Sequence, residues 1–138
     1  MPNKKPVPKE LNLLIAVQPL LEALSEAARE QLIREATMIA FEPGELLIQE
    51  GEENLQLYLI LKGEATVEMN GTIVGQIEPG DVAGEISISG ISPPIATVSA
   101  NSAVEVVAFP ADSMNRSMEQ HPEFGRRLRE AAIKRISG

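Results

Sequence analysis

The sequence predicts an α+β chain that is mainly β: a jelly-roll-like β-roll with helices at both ends. Three observations predict it. Between residues 37 and 110, apolar runs of four to seven residues alternate with Gly- and Pro-containing turns, the signature of many short strands. Outside that span the apolar spacing lengthens towards 3.6. The length, 138 residues with 43% apolar content, suits one domain with a real core.

Residues 1–10 hold three prolines and three lysines and are read as a flexible or extended leader, followed by one domain over 11–138. Its helical N-terminal part covers 11–36. Leu11 to Val17 has a weak helical period, and Pro19 to Leu24 reads as a turn. Ser25 is a predicted N-cap with Glu26 in the first turn, so a helix is expected over Glu26 to Glu35.

The β-roll is expected over 37–110. Strands are predicted at Thr37–Phe41, Leu46–Gln49, Leu55–Leu61, Glu64–Met69, Thr72–Ile77 and Val104–Phe109. Asn70-Gly71 is a two-residue hairpin signal. Gly44, Gly63, Gly71 and Gly80 are read as turn glycines. Helices are expected over 111–137. Asp112 or Ser113 caps the first, and His121-Pro122 ends it and opens the second. Phe124, Leu128, Ala132 and Ile136 form one apolar face of the last helix, beside Arg126, Arg127, Arg129, Lys134 and Arg135. That face suits the barrel beneath it or a second copy of the chain.

The net charge is −8 and unevenly spread. From Ala36 to Asp112 a single cation, Lys62, stands against twelve carboxylates. Such a field repels polyanions, so direct nucleic-acid binding is not expected. The chain has no cysteine and one histidine, His121, at a helix junction, which excludes a His-rich metal site and a Ser–His–Asp set. No phosphate-binding Gly-Lys-Ser/Thr loop occurs. No cofactor and no enzymatic activity are expected. No apolar run is long enough to span a membrane and no signal peptide is apparent, so the chain is read as cytoplasmic.

The informative stretch is Ala83 to Ala100, AGEISISGISPPIATVSA. A glycine before a one-turn helix turns backbone N–H groups outward, which suits an anion. Glu85 can accept from a ribose hydroxyl, and Ala96 to Ala100 reads as a returning strand. Gly84 serves either ligand approach or turn geometry, and both readings stay open.

This stretch resembles the phosphate-binding cassette of cyclic nucleotide-binding domains. The likeness rests on Gly84, Glu85, Ile86, Pro93, Ala96, Thr97 and Val98. The Pro-Gly turns at Pro43 and Pro79, Glu50-Gly51-Glu52, and Tyr58 to Gly63 extend it over most of the chain. The resemblance implies a double-stranded β-helix, a cAMP or cGMP ligand, and a regulatory role exerted on another protein chain. It implies a candidate ligand set of Gly84, Glu85, Ile86, Ser87, Pro94, Ile95, Ala96 and Thr97.

One position departs from the family pattern. The arginine that pairs with the cyclic phosphate falls on Pro94, and the next residue is Ile95. Charged hydrogen bonds are worth roughly 1.5–3 kcal/mol each, so losing a bidentate pair weakens binding about 10²-fold or more. Two readings follow: a sensor with weak or lost cAMP/cGMP binding that signals through its last helix, or a degenerate module of the same fold that acts through protein contacts alone. With the chain stopping at Gly138, directly after the last helix, no downstream helix-turn-helix is expected.

Overall fold

The computed structural model describes residues 3–11, 15, 18–90 and 92–137. Leu11 to Val17 therefore falls largely outside the described residues, as does the side chain of Ile136.

Nine strands form two sheets. In chain order they are β1 (Asn3–Pro6), β2 (Thr37–Phe41), β3 (Leu46–Ile48), β4 (Gln56–Lys62), β5 (Ala65–Met69), β6 (Thr72–Ile77), β7 (Val82–Ala83), β8 (Thr97–Ala100) and β9 (Val104–Pro110). One sheet has the order β1-β2-β9-β4-β7, the other β3-β8-β5-β6, and each pairing is antiparallel. The helices are α1 (Glu26–Glu35), α2 (Glu85–Ile88), α3 (Ala111–Gln120) and α4 (Pro122–Ser137), with short 3-10 turns at Lys9–Leu11 and Leu21–Ala23. This is the mainly β roll with flanking helices that the sequence predicts.

The long apolar runs of β4 and β9 have a packing reason. Leu57, Leu59, Val107 and Phe109 face a helical layer with Leu32, Met114, Phe124 and Leu128. The alternate residues Tyr58, Ile60, Val106 and Ala108, with Ile39 of β2 beside them, face the second sheet, against Ile77 and Val98. A strand buried on both faces reads as a continuous apolar run instead of an alternating one. Phe41 and Tyr58 meet edge to face with ring centroids 6.0 Å apart.

Local signals set most boundaries. Ser25 Oγ accepts from the Ala28 N–H at 3.2 Å and opens α1. At Asn70-Gly71 both residues have positive φ, which joins Met69 to Thr72 across a two-residue turn. Elsewhere the structure differs from expectation. The leader contributes β1, laid along β2 with Asn3 opposite Ala40 and Pro6 opposite Thr37. Asn-Lys-Lys-Pro has little strand propensity, and pairing with a preformed edge supplies the order. Helix α3 is capped by Pro110, with no side-chain hydrogen bond, so Asp112 lies inside its first turn. The two-residue β7, hidden within the cassette region of the sequence, adds itself to β4.

In α4, Phe124, Leu128 and Ala132 are fully buried. Its opposite face carries Arg126 between Glu123 and Glu130, with Arg127 also on Glu123. The helix lies across α2, which brings the end of the chain over the cassette.

Candidate functional site

Strand β7 delivers the chain to Gly84 at the edge of the five-stranded sheet. Gly84 has φ +104°, and a Cβ there would stand 2.7 Å from the Gln56 carbonyl oxygen and 2.9 Å from Asn54 Nδ2. The backbone alone thus demands glycine, which accounts for the residue through turn geometry and close packing. The single turn α2 follows, closed by Ile88 N–H on the Gly84 carbonyl and Ser89 N–H on that of Glu85, both at 3.0 Å.

Seven of the eight candidate residues converge. Gly84, Glu85, Ile86, Ser87, Pro94, Ile95 and Ala96, with Ile48, line a cavity of about 40 Å³. Gly84, Glu85, Ile86 and Ile95 also border a larger cavity of about 490 Å³, whose other walls include Val67, Met69, Val74, Gln76, Asp81 and Arg135. Thr97 lines neither cavity; its Oγ1 accepts from the Glu50 N–H at 3.1 Å and ties the loop after β3 to β8.

The polar groups of the cassette are largely satisfied within the protein. Asn54 Nδ2 donates to Ser87 Oγ at 3.0 Å and to the Gln56 carbonyl at 2.7 Å. Ser87 Oγ in turn donates to the Gly84 carbonyl at 3.3 Å. Pro94 is buried, has no N–H, and its carbonyl accepts from the Gly51 N–H at 2.9 Å.

Glu85 is the one carboxylate among the buried residues. Its partner comes from 50 residues away: Arg135, near the end of α4, donates one N–H to Glu85 Oε2 at 3.3 Å and to the Val82 carbonyl at 3.2 Å. Sequence reading placed Arg135 only as a helix-end cation. The apolar every-four stripe of α4 fixes which face packs, but not what lies beneath its tail, so no local signal gives this contact. Asn54, Asp81 and the apolar wall from β5 and β6 were likewise invisible as site residues for want of a motif.

Burial raises the Glu85 carboxyl above its ordinary value. Arg135 and the residue's own backbone N–H pull it down, and Asp81 pushes it up again. With a raised value in the folded chain, the native state binds this proton more tightly than the unfolded chain does. The associated stability is fully present below the unfolded value and is lost as pH rises through the folded one. Over the interval above the ordinary carboxylate value the unfolding free energy of the wild type should therefore fall, as pH rises, relative to that of Glu85→Gln. Urea titrations across that window check it, and a gap that grows in favour of the wild type contradicts it.

Among the described residues there is no cluster of three His, Cys, Asp or Glu suited to a metal ion. No helix among them is long and apolar enough to cross a membrane.

Comparison with known proteins agrees with this geometry. The family model described as "Cyclic nucleotide-binding domain" matches residues 38–121. A cAMP-dependent protein kinase regulatory subunit of Yarrowia lipolytica is 33% identical over 71% of this chain, but the match spans only 27% of that protein's own length. The regulatory domain of Toxoplasma gondii protein kinase A, solved with cAMP, superposes with a TM-score of 0.80 at 19% identity, covering 91% of this chain and 49% of that one. The regulatory subunit of a cAMP-independent protein kinase A from Trypanosoma brucei, as a mutant bound to cAMP in its A site, gives 0.73 at 25% identity, covering 92% and 46%.

Proposed function

Because the chain belongs to the cyclic nucleotide-binding domain family, we propose that it is a regulatory module in which cAMP and cGMP bind weakly or not at all, and in which the last helix carries the state of the cassette to another protein chain. The observation that carries this reading is the Arg135–Glu85 contact. Glu85 is the residue that the family resemblance assigns to the ribose hydroxyl, and here it holds the end of α4. A ligand that hydrogen-bonds Glu85 Oε2 competes with Arg135 for that oxygen. Differential affinity for the docked and undocked helix follows, and that difference is what a switch requires. The module is not catalytic; its partners are a small ligand and an effector chain. No nucleic acid is expected on the acidic barrel.

Weak nucleotide binding rests on Pro94 and Ile95, which leave the small cavity with one carboxylate and no cation among its lining residues. The Trypanosoma brucei neighbour supports the same logic: the form described with cAMP replaces a glutamate by alanine, a threonine by arginine and a valine by alanine. Those same residues also favour a second reading, a protein-interaction module without nucleotide.

Calorimetric titration with cAMP and cGMP tests the first part. No saturation is expected at low micromolar ligand, and dissociation constants in that range would overturn it. For the relay, Arg135→Ala should speed amide exchange along residues 129–137 while leaving β4 and β9 protected. Unchanged exchange in that segment would remove Arg135 from the mechanism.

A further inference from the structure

The ionised groups that line the larger cavity are Asp81, Glu85 and Arg135, and the one cation is already bound to Glu85 and the Val82 carbonyl. An anion entering there meets two carboxylates, one of them buried. Side-chain donors for a phosphate are scarce there as well. The Ser87 hydroxyl donates to the Gly84 carbonyl, and Pro94 has no N–H to offer. The adjoining small cavity, about 40 Å³, has room for about one water, whose share of liquid volume is about 30 Å³. Its walls are mostly apolar: Ile48, Ile86, Pro94, Ile95 and Ala96.

The larger cavity, about 490 Å³, falls in the range of small-molecule sites, about 300–1,000 Å³. Val67, Met69, Val74, Ile86 and Ile95 give it apolar walls suited to a flat ring. The Glu85 carboxylate is a strong acceptor that wants donors. We propose that this cavity takes an uncharged ligand, a ring body bearing hydroxyl donors for Glu85, in preference to any cyclic phosphodiester. This rests on the reading of the cassette as a ligand site.

Adenosine and cAMP share base and sugar; the cyclic phosphate adds a negative charge and removes the 3′ and 5′ hydroxyl donors, so both differences favour adenosine at this site. On the whole 138-residue chain, calorimetry or ligand-observed NMR should show adenosine or guanosine binding at least about tenfold more tightly than cAMP. Glu85→Gln should then move the two ligands in opposite directions. Adenosine weakens about fivefold or more as the charged acceptor is lost, and cAMP strengthens as the repelling charge is removed. A thermal unfolding curve confirms that the variant is folded.

The proposal is overturned if cAMP binds as tightly as adenosine, if both ligands shift the same way in Glu85→Gln, or if neither nucleoside saturates below about 1 mM. The failures separate. Low-micromolar cAMP binding sinks the weak-nucleotide reading too. Silence from nucleosides and nucleotides alike sinks only the ligand class, and the helix relay is still judged by Arg135→Ala.

Discussion

Replacing Gly63 by alanine is expected to remove about 3 kcal/mol or more of folding free energy. Gly63 ends β4 with φ +81°, and an added Cβ would lie 2.1 Å from the Ala103 carbonyl oxygen. A non-glycine residue held in that left-handed region costs of order 1–3 kcal/mol by itself. The overlap adds to it, because the obstacle is main chain that cannot rotate away. That main chain is also fixed from the other side: Asn101 N–H donates to the Glu64 carbonyl at 2.8 Å, and Glu64 N–H to Ser102 Oγ at 3.1 Å. For a chain of this size the loss corresponds to a midpoint about 10 °C lower or more. Thermal and urea unfolding measure it, and a loss below about 1 kcal/mol would show that the 101–103 turn yields freely.

Pro94→Arg is expected to tighten cAMP binding about 10²-fold, because a bidentate guanidinium supplies the strongest polar contact a cyclic phosphate can have. The substitution also restores an N–H at position 94 and neutralises the charge of the small cavity. Its Cα stays put, since the residue's carbonyl is held by Gly51. The guanidinium must enter a space of about 40 Å³ walled by Ile48 and Ile95, so Pro94→Arg combined with Ile95→Ala is the matched second variant. Titration of both with cAMP decides the matter. If neither gains affinity while both unfold cooperatively, the missing guanidinium is not what limits binding.

Much of this molecule was legible in its sequence because local chemistry and tertiary packing agree. Ser25 and Glu26 fix the start of α1, Asn70-Gly71 fixes the hairpin register, and Pro122 opens the last helix where expected. The continuous runs of β4 and β9 announced strands, although the reason for their length, burial on both faces, needed the layers. What was not legible depends on partners distant in sequence. β1 exists because β2 offers an edge, and β7 because β4 does. Thr97 read as a ligand contact, and the structure adds a partner that no motif gave: its hydroxyl accepts from the Glu50 N–H, 47 residues upstream. The site showed the same division: its glycine, acid and proline pair read directly, while its only cation had to be brought across by the packing of α4.

The two halves of α4 are held by different means. Its first turns carry Phe124 and Leu128 in the core, interlocked charges along the outer face, and Arg127 on the Pro19 carbonyl. Beyond Ala132, Arg135 tethers it through the Val82 carbonyl and Glu85. Such a rod peels from its tail while its root stays planted. On the proposed relay, a binding event beneath it would be reported as a lengthening of loose chain, graded turn by turn, and not as a swing of the whole element.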